Sequence, residues 1–389
     1  MAMNDMSVEQ ISTLLGAVLA QANGTNGTLT TTNTKDLITV AQTTLKTGYD
    51  PIISAISQVL SRTIFSIRPY DRKFNGLFVS NEKYGNHVRK LQTVDTGFEN
   101  DDRLALTDGY SIDQYVVKKP KVLQTNFYGE DTYQKHITIF RDQLDTALSG
   151  ISQFGSFISM VLQNQMDEIT QADEELARST VANMIGGKIK SAGDGVVHLV
   201  TEYNAYAGTS YTSTTIKDPT AYEPFIKWVF GRVRTLGQRM AERSVKYHVN
   251  ITNYPIMRHT PADRMKIYLF APVLNDITAS VLSDIYNDEL LKFAEHEQVT
   301  YWQNIDNPDS IKVDCTYLKA DGTLDHDTIT QANVFGLLFD EESIGITRVN
   351  QWQQNTPFNA RGGYYNIYYH WTSRFWNDFS ENAVVLLLD

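Results

Sequence analysis

The sequence predicts an α+β fold of two or more domains, and three observations carry the prediction. Residues 151–185 repeat apolar side chains at helical spacing. The C-terminal third is instead a series of short strand-like apolar runs. The length, 389 residues, exceeds what one compact core usually holds. Such a mixture reads as α+β with at least one antiparallel sheet. No internal repeat is visible.

The chain opens weakly. Ser7 to Gln10 has capping-box spacing, and Ile11, Leu14, Leu15, Val18 and Leu19 follow on one helical face. Asn23–Thr34 (NGTNGTLTTTNT) is a polar Gly/Thr/Asn tract that reads as a linker, and a second short helix is predicted over Lys35–Gly48. Neither helix can bury its apolar face alone, so the first 48 residues are expected to act as an arm, open to protease in isolated subunits. Asp50–Phe74 predicts a helix and a strand before a basic knot of Arg68, Arg72 and Lys73. That knot suits either contact with DNA or a neighbour's carboxylates, or a solvated loop. Residues 76–130 read as a long extended ribbon without an obvious core face. Pro120 bars a central-strand position, and Lys118, Lys119 and Lys121 resemble edge protection. A projecting hairpin is expected.

From about Thr132 to Ile185 the signal is helical, strongest over 151–185. Phe154, Ile158, Val161, Leu162, Ile169, Leu176 and Met184 form its stripe, and Asp167, Asp173, Glu174 and Glu175 punctuate it. Gly186-Gly187 is the expected stop. At about 1.5 Å per residue such a helix is on the order of 50 Å long. After a Gly/Thr/Ser-rich crossing (193–215), Pro224 is placed at the first turn of another helix. Phe225, Trp228, Val229, Leu236 and Met240 form its buried face, and Lys227, Arg232, Arg234, Arg239 and Arg243 its exposed basic one. Met265–Leu274 is predicted as a strand and Asn275–Phe293 as a helix capped by Asn275. Thr300–Ile305, Ser310–Lys319 and Ala332–Val349 read as strands. The chain ends in an aromatic block and a nearly unbroken apolar run, Ala383–Leu388.

Composition excludes more than it selects. A net charge of -11 argues against tight binding to phosphates. A single cysteine, Cys315, allows no intrachain disulfide, and in an alternating strand it reads as a buried structural thiol. No stretch approaches the roughly 18 apolar residues of a membrane span, and no secretory signal is expected at the N-terminus. Gly186-Gly187-Lys188 follows a helix and lacks the Ser/Thr of a phosphate loop. The nearest approaches to a metal set are Asp325-His326-Asp327, and His296 with Glu295 and Glu297; acidic surface turns are the commoner origin of both. No GxSxG elbow appears. No catalytic, cofactor-binding or metal residue is assigned, and no cofactor is expected. The 21 tyrosines and 17 phenylalanines suit sheets and protein interfaces.

The order of parts resembles the major capsid proteins of tailed bacteriophages, with the HK97-type fold. Local phrases carry the resemblance: Leu60–Tyr70 (LSRTIFSIRPY), Lys118–Leu144, Phe154–Leu162 (FGSFISMVL), Pro224–Val233 (PFIKWVFGRV) and the closing WTSRFWNDFSENAVVLLLD. They look like head proteins of phages infecting Gram-positive bacteria. The resemblance implies residues 1–75 as an arm leading into a peripheral domain and 76–130 as an extended loop reaching over a neighbour. It implies 131–222 as a peripheral domain with a spine helix (about 151–185), 223–335 as an axial domain, and 336–389 as strands returning to the peripheral domain. On that reading Val384–Leu388 form a buried strand, with Trp371, Phe375 and Trp376 packed around it. The family further implies hexamers and pentamers of an icosahedral shell enclosing double-stranded DNA, assembled in the host cytoplasm. Scaffolding, portal and decoration proteins are its usual partners. The alternatives are another self-assembling structural protein, such as a tail or surface-layer component, or an enzyme on an α+β scaffold. Negative-stain microscopy separates them: closed shells, tubes or lattices, and small particles.

Overall fold

A computed structural model describes residues 73–79, 88–94, 101, 103, 107–115, 117, 119, 121–143, 151–191, 195–251, 256–272 and 295–389. The predicted arm, Arg68, Arg72 and the helix expected over Asn275–Phe293 lie outside these residues.

The predicted ribbon contains an antiparallel pair, β1 (Val88–Thr93) with β2 (Val122–Phe127), in register from Val88 opposite Phe127 to Thr93 opposite Val122. The helical signal expected from Thr132 is overturned at its start. Glu130–Phe140 is a strand, β3, because its β-branched and aromatic residues alternate between two faces and pair with a partner far along the chain. That partner is β11 (Tyr364–Asn377), which also pairs with β10 (Ile344–Asn355). The three make one antiparallel sheet.

The spine helix α1 spans Ile151–Lys190, 40 residues and so about 60 Å. It does not stop at Gly186-Gly187. These glycines lie inside it because other elements press on the helix there. A Cβ at Gly186 would lie 2.8 Å from Ile329 Cγ2 and 2.9 Å from Val313 Cγ1; one at Gly187 would lie 2.4 Å from the Phe379 ring. Val313 and Ile329 belong to a hairpin, β7 (Ile311–Leu318) with β8 (Leu324–Gln331). The glycine pair is thus a packing notch rather than a terminus. Asp173 and Glu174, read as polar punctuation of the stripe, are buried and paired. Arg348 reaches Asp173 at 2.5 Å, and Arg178 reaches Glu174 at 2.6 Å one turn away.

The second sheet has five strands in the order β4 (Val196–His198), β12 (Ala383–Leu387), β9 (Val334–Asp340), β5 (Met265–Phe270), β6 (Glu295–Val299). It draws on all three ranges 131–222, 223–335 and 336–389. The "crossing" at 193–215 therefore holds β4 and a helix, α2 (Leu199–Ala207). The next helix, α3 (Pro219–Ala241), starts more than a turn before Pro224. Pro219 takes the first helical position, and the Asp218 carboxylate caps it by accepting from Thr220 N at 3.1 Å. Its buried face is Phe225, Ile226, Val229, Phe230, Val233, Leu236 and Met240. Trp228 is only partly buried. The run Thr300–Ile305 is not a strand. Trp302 turns inward there, 1% exposed, and donates through Nε1 to Val334 O at 2.8 Å.

The terminal strand is buried as expected, with Ala383 to Leu387 all at 1% exposure or less. It runs antiparallel to β9 and parallel to β4, in the sheet of β5 and β6 and not beside β10 and β11. Of the expected aromatic lid, Phe375 packs against the core cluster that contains the strand, whereas Trp371 stacks on Tyr133 of β3 at 5.5 Å and Trp376 lies over Gly345 of β10. The residue between the two sheets that does enter the core is Phe379. The reason is the turn after β11, where Asp378 takes two hydrogen bonds from Ser380 and sends the chain into the second sheet.

Candidate assembly surface

Chemistry-bearing residues do not converge on a reaction centre among the described residues. Asp325 and Asp327 of β8 are each bound to a lysine at 2.6 Å, Lys319 and Lys190, which pull both carboxyls below their usual range. His326 Nδ1 lies 2.9 Å from Thr316 Oγ1. Glu297 accepts from Phe74 N at 2.6 Å, a structural bond tying the chain before β1 to β6. No group of three or more potential ligands forms among the described residues. Cys315 is buried, and burial pushes its thiol upward; Sγ donates to Asp327 O at 3.2 Å. Asp325 and Asp327, of the first sequence-predicted metal set, thus read as hairpin ion pairs. Lys73 is exposed, its backbone N–H bound to Glu174 at 3.3 Å.

What the structure displays instead is a ribbon held tightly at its root and open along its length. At the root, Lys90 of β1 enters a pocket of carboxylates. Its Nζ lies 3.0 Å from Asp378, 3.3 Å from Glu342 and in close contact with Glu381. Arg258 closes the cluster, 3.1 Å from Glu381, and donates to Ser380 O at 3.0 Å. Gln92, two residues on and on the same face, donates to Ser380 Oγ at 3.4 Å. Burial pushes Glu381 up against the pull of Lys90 and Arg258. For Lys90 the order reverses: burial lowers it, and the two carboxylates more than restore it. Sequence reading saw none of this, because Lys90 and Glu381 are 291 residues apart.

Beneath the cluster lies Lys188 of α1. It is fully buried, and its Nζ donates to Tyr247 O at 3.1 Å and Glu381 O at 3.3 Å. Desolvation brings it down to about 7 from 10.5 despite Asp378 and Glu381 nearby. A depressed lysine pKa means that the unfolded chain holds a proton the folded one lacks at pH between those values, so stability rises with pH across that window. Melting temperature is expected to rise between pH 7 and about pH 10, and Lys188→Met to flatten the rise. An identical slope in both proteins would show that Lys188 stays charged in the fold.

From residue 101 on, the loop between β1 and β2 is exposed wherever it is described. Tyr110, Tyr115 and Val117 are 79%, 80% and 78% exposed, and Leu91, Ile112, Val122 and Tyr128 are exposed as well. Isolated exposed apolar residues are ordinary, but a run of large ones on one element marks an interaction surface. The three-stranded sheet presents a second uncovered face. There Trp352 stacks on His370 at 3.8 Å, and His136 on Tyr368 at 5.5 Å.

The family described as the Phi29-like phage major capsid protein matches residues 19–387. No curated protein matches the sequence. Among solved structures, the fold is similar to the capsid of Staphylococcus phage Andhra, with a TM-score of 0.53 at 10% identity over 82% of this chain and 84% of that one. It is similar to the same degree, TM-score 0.53 at 9% identity over 82% and 85%, to a chain in a structure of the head fiber and inner core protein of native bacteriophage P68. At such identities the likeness shows the fold, which is HK97-type.

Proposed function

Because the chain belongs to the Phi29-like phage major capsid protein family, we propose that it closes an icosahedral head shell as hexamers and pentamers, with the ribbon as the clamp between neighbouring copies. It is a structural shell protein of the virion and not an enzyme, and it works as a homo-oligomer. The observation that carries the clamp reading is the ribbon itself, anchored through Lys90 and exposing Tyr110, Tyr115 and Val117 where its own chain offers no cover. An isolated subunit gains nothing from such exposure. In a shell, burying apolar surface at roughly 25 cal/mol per Å2 drives association.

In this assembly α1 and the three-stranded sheet serve as the peripheral domain, and α3 with the five-stranded sheet as the axial one around each capsomer centre. The shell forms in the host cytoplasm and encloses double-stranded DNA without reading its sequence. Scaffolding, portal and decoration proteins are its further partners. The net charge of -11 suits such a container, since a wall that held DNA tightly would hinder packaging and release.

Deleting the ribbon tip, residues 101–117, is expected to leave a folded, soluble subunit that forms no closed shells, as read by circular dichroism and negative-stain microscopy. The body's two sheets do not include the tip, so the fold survives. Normal shells from the deletion variant would show that the ribbon is not the clamp.

A further inference from the structure

Charge is distributed very unevenly along this chain. Residues 224–264 hold eight Lys and Arg against two Asp and Glu, in a protein whose net charge is -11. The ribbon segment 95–113 is the reverse, with six Asp and Glu against one Arg. The basic stretch is most of α3 and the loop that follows. Several of its cations are neutralised internally: Arg232 by Glu202 at 2.6 Å, Lys227 by Glu223 at 2.7 Å, Arg264 by Glu342 at 2.8 Å, Arg258 by Glu381. Arg234 and Arg239 are exposed on α3 and make no ion pair among the described residues. In the loop after α3, Val245 and Met257 are 48% and 47% exposed. Met257 lines an open cleft of about 550 Å3 in which Arg243, Arg258 and Arg264 meet Asp340, Glu342 and Glu381.

We propose that the acidic ribbon tip of one subunit docks on the Arg234/Arg239 end of α3 in a neighbouring copy. This rests on the clamp reading above and names the surface that receives the clamp. Two independent features match. Asp108 and Asp113 are exposed on the tip and oppose the unspent arginines in sign. Tyr110, Ile112 and Tyr115, between and beside them, offer apolar surface to Val245 and Met257. The tip is not seated on its own chain, as its exposure shows. Phosphate is the poorer occupant, because the loop after α3 also exposes apolar Val245 and Met257, and a peptide carrying both carboxylates and aromatic rings suits that mixture.

The test is a charge swap in the full-length protein, scored by shell yield in sedimentation and by negative-stain microscopy. Arg234→Glu with Arg239→Glu is expected to cut shell yield by roughly tenfold or more, as is Asp108→Arg with Asp113→Arg, because each sets like charges face to face. All four changes together are expected to restore shells. Circular dichroism checks that each variant is folded; these side chains are exposed, so folding is expected to persist. Separately, Asp113→Cys with Arg239→Cys is expected to give oxidised intersubunit dimers within shells, since the native Cys315 is buried. Normal shell yield from the arginine variant overturns the proposal, as does failure of the combined variant to recover. Intact shells with reduced DNA content from the arginine variant also overturn it, and would assign the patch to phosphate. The clamp reading fails differently, through normal assembly after tip deletion.

Discussion

Removing Ala383–Asp389 is expected to yield insoluble subunits and no shells. The physical reason is position. β12 lies between β4 and β9, so its loss splits a five-stranded sheet, leaving β4 with no strand partner and β9 bonded on one side only. Val384, Val385, Leu386 and Leu387 are each 1% exposed or less. Burying one such side chain is worth roughly 1.5–3 kcal/mol, so four approach the whole stability of about 5–15 kcal/mol for a domain. A milder change separates stability from assembly. Leu386→Ala is expected to cost about 2–5 kcal/mol, lowering the melting temperature while still permitting shells at low temperature. Normal, well-formed shells from the truncated chain would instead mark the terminus as a dispensable recruitment tail.

Gly187→Ala is expected to destabilise the subunit, against the ordinary rule for helices. In an exposed helix interior, Gly→Ala gains about 1 kcal/mol. Here the added methyl would lie 2.4 Å from Cε1 and Cζ of Phe379, a buried ring of the main core. Overpacking of that kind costs typically about 1–3 kcal/mol, and the clash outweighs the propensity. Gly231→Ala on α3 is the control. Its Cβ would meet nothing within 4 Å, so the usual gain is expected there. Thermal unfolding of the two variants should move in opposite directions. A stabilised Gly187→Ala would show that the β11–β12 connection yields easily and that the notch is not a constraint.

Much of the architecture follows from local pattern. The spine helix, the paired ribbon, the strands of the C-terminal third and the buried terminal run were all legible, because each is encoded in periodicity over a few neighbouring residues. The misreadings share one cause. Glu130–Phe140 looked continuous with the helix after it; its pairing with β11, more than 220 residues later, makes it a strand. Gly186-Gly187 looked like a stop until the β7–β8 hairpin and Phe379 were found against it. Asp173 and Glu174 read only as polar interruptions of the stripe; Arg348 and Arg178 neutralise them inside.

The candidate surface divides in the same way. That the ribbon's composition is apolar and acidic, and that α3 carries a basic face, are properties of the sequence alone, since residue type and spacing suffice to state them. Which sheet receives the last strand, which of the basic residues are spent on internal carboxylates, and that Lys90 pins the ribbon to Asp378 and Glu381 were decided only by the tertiary structure. Pairing between distant residues leaves no local signature: a charge is free or neutralised, and a glycine a stop or a notch, according to what the rest of the chain brings to within a few ångströms of it.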